Sequence, residues 1–176
     1  GLFDAAVRLS GQHRLRVAGA FEVGHLRQIT LSAWVRPTAF ERYNEIFRKE
    51  DGDNRILFSF QEHGHVLSLG LNAGGYVECD GSIDPERVLD GRWHHCAATF
   101  DGRSMRVYFD GHPICAIERS GTLTAGGPAA ACLASMDGSE CFQGGLDDVR
   151  IYGEALPSAG IQALFQGGLP ALERLA

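Results

Sequence analysis

The 176-residue sequence contains no apolar run near the roughly 20 residues that a helix needs to cross a bilayer, so membrane insertion is not expected. Its five cysteines, at 79, 96, 115, 132 and 141, include no CxxC pair, which argues against the zinc-ribbon and thioredoxin-type readings. A dinucleotide GxGxxG, a Walker loop and a Gly-x-Ser-x-Gly elbow are all missing, so the common nucleotide sites and the serine-hydrolase elbow are unsupported. Positive charge is in deficit: 16 Lys and Arg face 22 Asp and Glu, a net charge of −6 that argues against binding a nucleic-acid backbone. The chain opens on Gly-Leu-Phe-Asp-Ala-Ala, without an initiator Met or a signal-peptide core, and reads as an excised domain or mature segment.

What is abundant is glycine, 23 residues without a collagen-like period, which suggests many tight turns joining many short strands. The run QITLSAWVR alternates, with Ile29, Leu31, Ala33 and Val35 on one face and Thr30, Ser32, Trp34 and Arg36 on the other. Ile56, Phe58 and Phe60 share a face, as do Leu67, Leu69 and Leu71, and the short Glu62-His63-Gly64 connection makes these two runs a hairpin. Met105, Val107 and Phe109 form another such face between the turn dipeptides Asp101-Gly102 and Asp110-Gly111. Strands at roughly 8–12-residue spacing predict an antiparallel sandwich or barrel, with about 11–14 strands. The expected core is Ile29, Leu31, Val35, Phe58, Leu69, Val107, Phe109, Val149 and Ile151. One helix is expected near 157–166, with Ser158 as its cap and Gly167-Gly168 as its stop. The chain divides into one domain, 1–168, and a tail or linker, 169–176, which has room for another helical turn.

Five segments, in order, carry a family resemblance: Leu31 to Pro37 (LSAWVRP), Asp90 to Gly102 (DGRWHHCAATFDG), Arg106 to Gly111 (RVYFDG), Gly144 to Tyr152 (GGLDDVRIY) and Ala155 to Phe165 (ALPSAGIQALF). Together they resemble the laminin-G-like, concanavalin A-like lectin/glucanase superfamily in its pentraxin-related branch. The resemblance implies an all-β fold, a two-sheet antiparallel jelly-roll sandwich with one short C-terminal helix. It also implies a choice among sugar binding, protein adhesion and glycoside hydrolysis that the fold alone does not make.

Candidate sites follow from residue chemistry. Hydrolysis needs two carboxylates about 5–9.5 Å apart. Only Glu78 and Asp80 have the two-residue strand spacing that the resemblance to glucanases implies, and without an apolar or aromatic flank they are expected to be a solvated acidic edge. His94 and His95 are adjacent on a strand and point to opposite faces, so they do not chelate one ion together. His63 and His65 share a face, but no third metal ligand accompanies them. Sugar rings stack on exposed aromatic faces; Trp34 and Trp93 lie in scaffold motifs and are expected to be buried, which leaves Phe40, Tyr43 and Tyr76 as candidate platforms. The resemblance implies a structural Ca²⁺ with Asp147 as a ligand. Where relatives are Asp-rich, however, this chain has Ser10, His13 and Arg14, which take away oxygens and add positive charge. Asp147 alternates with Val149 and Ile151, so its carboxylate needs a partner, and Arg14 is one to set against the metal. Cys132 and Cys141 flank a turn-like octapeptide that a hairpin could close into a disulfide, while Cys96 alternates with Ala98 and Phe100 as a small core residue.

The expected function is that of a non-catalytic binding domain in a larger secreted or cell-surface protein, extracellular or periplasmic, with carbohydrate as its ligand. The alternatives are a protein-protein adhesion or assembly module, and a glycoside hydrolase or lyase with an unrecognised site.

Overall fold

In a computed structural model the alternating apolar faces close onto each other as two six-stranded sheets. The structure describes residue 3 and residues 5–12, 14–17, 26–52, 54–124, 130–135 and 138–173, the last five as backbone only. His13 and residues 174–176 of the expected tail lie outside the described residues.

In chain order the strands are β1 (Val7–Ser10), β2 (Leu15–Arg16), β3 (Ile29–Ala39), β4 (Tyr43–Asp51), β5 (Asn54–Gln61), β6 (Val66–Asn72), β7 (Tyr76–Ser82), β8 (His94–Phe100), β9 (Ser104–Phe109), β10 (His112–Glu118), β11 (Cys132–Leu133) and β12 (Gln143–Tyr152). The first sheet runs β1-β12-β3-β8-β9-β10 and the second β2-β11-β4-β5-β6-β7. Every neighbouring pair is antiparallel, and the hairpin β5–β6 sets Phe58 opposite Leu69 and Ile56 opposite Leu71. This is the jelly-roll sandwich.

Period-two alternation directs one face of each sheet inward, where burial of apolar area stabilises the sandwich. Ile29, Leu31, Val35, Phe58, Leu69, Val107 and Phe109 are all buried in that layer. Val149 and Ile151 pack against it but are only half-buried.

A bulge explains why Asp147 does not share their side. The β12–β3 register shifts between Asp147 and Arg150, and Asp148 there takes a left-handed φ of 46°. Leu146 therefore points into the core, and Asp147 points out beside its pair partner Trp34. The expectation that Asp147 aims at the apolar layer is corrected on this ground.

Among the described residues two α-helices complete the fold. The first, α1 (Pro85–Val88), was not expected from the sequence; Asp84 caps it by accepting the Glu86 amide at 3.0 Å. The second, α2 (Ser158–Glu173), covers part of the outer face of the first sheet, with Ile161 against Ala97 and Tyr108 and Phe165 stacked on Trp34 at 5.8 Å. It does not stop at Gly167-Gly168. Gly168 is buried, and a Cβ there would lie 2.1 Å from the Trp34 ring, so the residue serves close approach rather than termination. Ser158 does not act as the expected cap: its hydroxyl meets the Tyr108 hydroxyl at 3.1 Å, and the Pro157 carbonyl accepts the Ile161 amide. No helix among the described residues is long and apolar enough to cross a membrane.

All five cysteines are free. Cys132 pairs in the sheet with Arg16 and Arg48, while the Cys141 thiol turns to the carbonyls of Gly138 and Ser139, so the expected bridge between them is absent. The sulfurs that do meet belong to Cys79 on β7 and Cys115 on β10, 3.0 Å apart across the edges of the two sheets.

Candidate functional site

The first sheet carries a helix on its outside; the outer face of the second sheet carries a polar cleft of about 220 Å³. On β5 the inward Ile56, Phe58 and Phe60 leave Arg55, Leu57, Ser59 and Gln61 facing out into it. On β7 the buried Cys79 leaves Tyr76 and Glu78 outward.

The β4 wall depends on a bulge. The register with β5 shifts between Glu45 and Phe47, so that Ile46 and Phe47 are both buried and Glu45 and Arg48 both face the cleft. Strict alternation would have put Glu45 and Phe47 on one side, which is why the sequence pattern did not mark Glu45.

Glu45 is the buried carboxyl of the cleft, 2% exposed. Its Oε1 accepts a short bond from Arg48, and its Oε2 is buried with no hydrogen-bond partner among the described residues. Burial pushes the Glu45 carboxyl up to about 7; Arg48 works against that rise and Glu140 adds to it. Arg48 is shared with Glu140 at 2.8 Å and with Glu50, whose carboxylate accepts its Nε at 2.7 Å.

The aromatic wall lies opposite. Tyr76 lies across Gly70 on β6, where a Cβ would come within 2.2 Å of the phenol oxygen. The Arg55 guanidinium sits 4.1 Å from the centroid of the Tyr76 ring. The Tyr76 hydroxyl donates to Glu78 at 2.7 Å, and the Gln61 amide donates to the same oxygen at 3.2 Å. Burial, and then this bond to Glu78, hold the Tyr76 phenol above its ordinary pKa.

Two of the three sequence candidates meet here: Tyr43 and Tyr76 both line the cleft. Phe40 does not join them. It is half-buried, 4.9 Å from Phe60 by ring centroids and pressed against Gly64. The acid pair separates in role, since Glu78 lines the cleft and Asp80 accepts from Ser68 at 2.6 Å. His63 and His65 are exposed, and His63 has a left-handed φ of 59° that takes it off any strand face.

The paired histidines are structural. His94 is held between Asp110 at 3.0 Å and Asp90 at 3.1 Å; burial alone would lower its pKa, but the two carboxylates outweigh it and raise it. His95, on the opposite face, is lowered to about 4 by burial and bonds the Ser32 hydroxyl at 2.9 Å.

Asp147 is also accounted for by protein donors. One carboxylate oxygen accepts the Phe3 amide at 3.1 Å and the other the Asp148 amide at 2.8 Å. Calcium wants six to eight oxygens. Among the described residues no group of three His, Cys, Asp or Glu side chains is placed to hold a metal.

The family model for the concanavalin A-like lectin/glucanases superfamily, of the laminin-G type, matches residues 9–162. The chain belongs to that superfamily. No curated protein sequence matches it. Among solved structures it is similar to domain 4 of an extracellular GH43 arabinanase from Geobacillus stearothermophilus, in complex with arabinotriose, with 23% identity, a TM-score of 0.74, and coverage of 92% of this chain and 76% of that one. It is also similar to the CBM40 domain of a Ruminococcus gnavus IT-sialidase bound to α2,3-sialyllactose, at 13% identity, TM-score 0.76, and coverage of 91% and 96%. A heptameric pentraxin from Limulus polyphemus follows at 23% identity, TM-score 0.58, and coverage of 80% and 70%. At these identities the likeness is one of fold.

Proposed function

We propose that this chain is a non-catalytic carbohydrate-binding domain of a larger extracellular, cell-surface or periplasmic protein, and that the outer cleft of the second sheet is its sugar site. The observation that carries this reading is the Tyr76 ring laid over Gly70 at the rim of a cleft whose floor holds an unpartnered Glu45 oxygen. A sugar ring offers apolar C–H faces to an aromatic and a rim of hydroxyls to polar groups. Here Tyr43 and Tyr76 supply the faces, and Gln61, Ser59, Glu78 and Glu45 the polar groups.

The electrostatics favour a neutral sugar. Both cations of the cleft are engaged, Arg48 with three carboxylates and Arg55 with the Tyr76 ring and with Glu50 at 3.9 Å. An acidic sugar would find both guanidiniums already beside carboxylates and would meet Glu78 and Glu140. The same pairing supports binding over hydrolysis: Glu45 and Glu140 share Arg48, and Glu78 is held by Tyr76 and Gln61, so no carboxylate is free to act as a nucleophile opposite the raised Glu45.

A glycan array probed with the domain, followed by calorimetry on the hits, tests the reading. Neutral oligosaccharides should bind, and Tyr76→Ala should weaken them about tenfold, near 1.4 kcal/mol. An array blank for every sugar would overturn the proposal in favour of a protein-binding module, and turnover of a bound oligosaccharide would overturn its non-catalytic part.

A further inference from the structure

On the first sheet, beyond the reach of the cleft, a larger cavity of about 460 Å³ has the opposite electrical character. Its floor is a cross-strand row. Arg8 on β1 pairs with Gly145 on β12, and Gly145 pairs with Arg36 on β3. Two strand spacings separate the arginines, about 10 Å between backbones, a span that two long side chains can close onto one group. Leu9 and Val35 point into the core, so both arginines point outward, and both are exposed.

Gly145 makes the hollow between them. A Cβ there would lie 2.7 Å from the Trp93 ring, so the indole edge occupies the space a side chain would fill and walls one side of the cavity. The Arg36 guanidinium stands 5.1 Å from the Trp93 centroid, and Pro37 extends the wall. Among the described residues no acidic side chain lines the cavity. Among the described residues neither Arg8 nor Arg36 has a carboxylate partner. Asp147, two residues along β12 on the same face, is turned to the amides of Phe3 and Asp148.

Two guanidiniums that line one hollow, with no carboxylate beside either among the described residues, make a local positive patch in a chain of net charge −6, and such a patch attracts anions. We propose that this cavity is a second ligand site, independent of the sheet-two cleft, and that it takes the carboxylate or sulfate of an acidic sugar. Guanidinium forks match the paired oxygens of both groups. The volume lies in the range of ligand pockets and exceeds what a bare oxyanion fills, and the Trp93 and Pro37 wall gives a sugar ring an apolar side to rest on. The site and the cleft would then divide the work: a neutral sugar on one sheet, an acidic one on the other.

Titration at constant ionic strength with glucuronate, a sulfated heparin disaccharide, inorganic sulfate and glucose, followed by calorimetry and tryptophan fluorescence, tests this. Saturable binding of either sugar acid is expected, with glucose silent. Arg8→Gln and Arg36→Gln should each weaken it at least tenfold. Tyr76→Ala should leave it unchanged, which separates this site from the cleft. Circular dichroism identical to the parent checks that these surface variants fold. Sulfate binding without either sugar acid would overturn the sugar assignment and leave a free-oxyanion site. No saturation by any anion, glucose binding as tightly as glucuronate, or affinity that survives both arginine substitutions would overturn the site itself.

Discussion

Glu45→Gln replaces the buried carboxyl of the cleft by an amide of the same shape, and its consequence depends on pH. In the folded chain the Glu45 carboxyl titrates at about 7, against an ordinary 4.5, because burial disfavours its charge more than Arg48 favours it. The folded state therefore holds a proton that the unfolded chain has released between those two values. Below pH 4.5 both states are protonated and the contribution of Glu45 is fully present. As pH rises through 7 the folded state must ionise a buried group, and that contribution is lost. The gap amounts to about 3 kcal/mol as an upper bound, since Arg48, Glu50 and Glu140 readjust around the charge. His94, raised by Asp110 and Asp90, loses stability in the same direction from about pH 6.5 upward, so the wild-type curve alone does not isolate Glu45. The difference between wild type and Glu45→Gln does. Urea unfolding from pH 4 to 8.5 should show the variant gaining on the wild type by about 2–3 kcal/mol across that window. Curves that stay parallel throughout would refute the raised carboxyl and with it the buried, unpartnered oxygen.

Three further outcomes follow from the packing. Gly168→Val should drive a side chain into the Trp34 ring and loosen α2, seen as a red shift of tryptophan fluorescence and a loss of about 2–4 kcal/mol; an unchanged spectrum would mean the helix does not lie where it is described. Treatment with a small-molecule disulfide should join Cys79 to Cys115 by two thiol exchanges, releasing two small thiols per bridge, and peptide mapping that found Cys132 bonded to Cys141 instead would contradict the structure. Asp147→Asn should cost about 1–3 kcal/mol, because one of two amide donors loses its carboxylate oxygen, and EDTA should leave the wild-type melting temperature unmoved; a drop restored by Ca²⁺ and missing in the variant would reinstate the metal.

The alternation in β3 made its two faces readable from the sequence. Ile29, Leu31, Ala33 and Val35 went inward and Trp34 outward as the period of two requires. The hairpin of β5 and β6 was equally legible, because both strands keep strict alternation on either side of a glycine-bearing turn. Alternation failed where a strand gains a residue. The bulge after Glu45 and the one after Asp147 each reverse which side chains face the core, and in β12 the reversal rests on a left-handed Asp148 that no composition rule marks. Gly167-Gly168 misled for a different reason. A glycine that ends a helix and a glycine that lets a helix touch an indole look the same in a sequence, and only the position of Trp34 separates them.

Both candidate sites belong to a further class, in which the chemistry is made by neighbours across strands. Tyr76 was marked by its place beside a loop, yet what positions its ring in the cleft is Gly70 on the adjacent strand and Arg55 one strand beyond. Arg8 stood in no motif, and Arg36 was legible only as an outward residue of an alternating strand. What brings them together is β12 passing between β1 and β3, with a glycine at the position that lets the Trp93 indole close one side of the hollow. Strand order is a property of the whole sandwich rather than of any segment. A period-two reading therefore recovers the faces on which sites are built, and leaves to the topology the question of which side chains stand together on them.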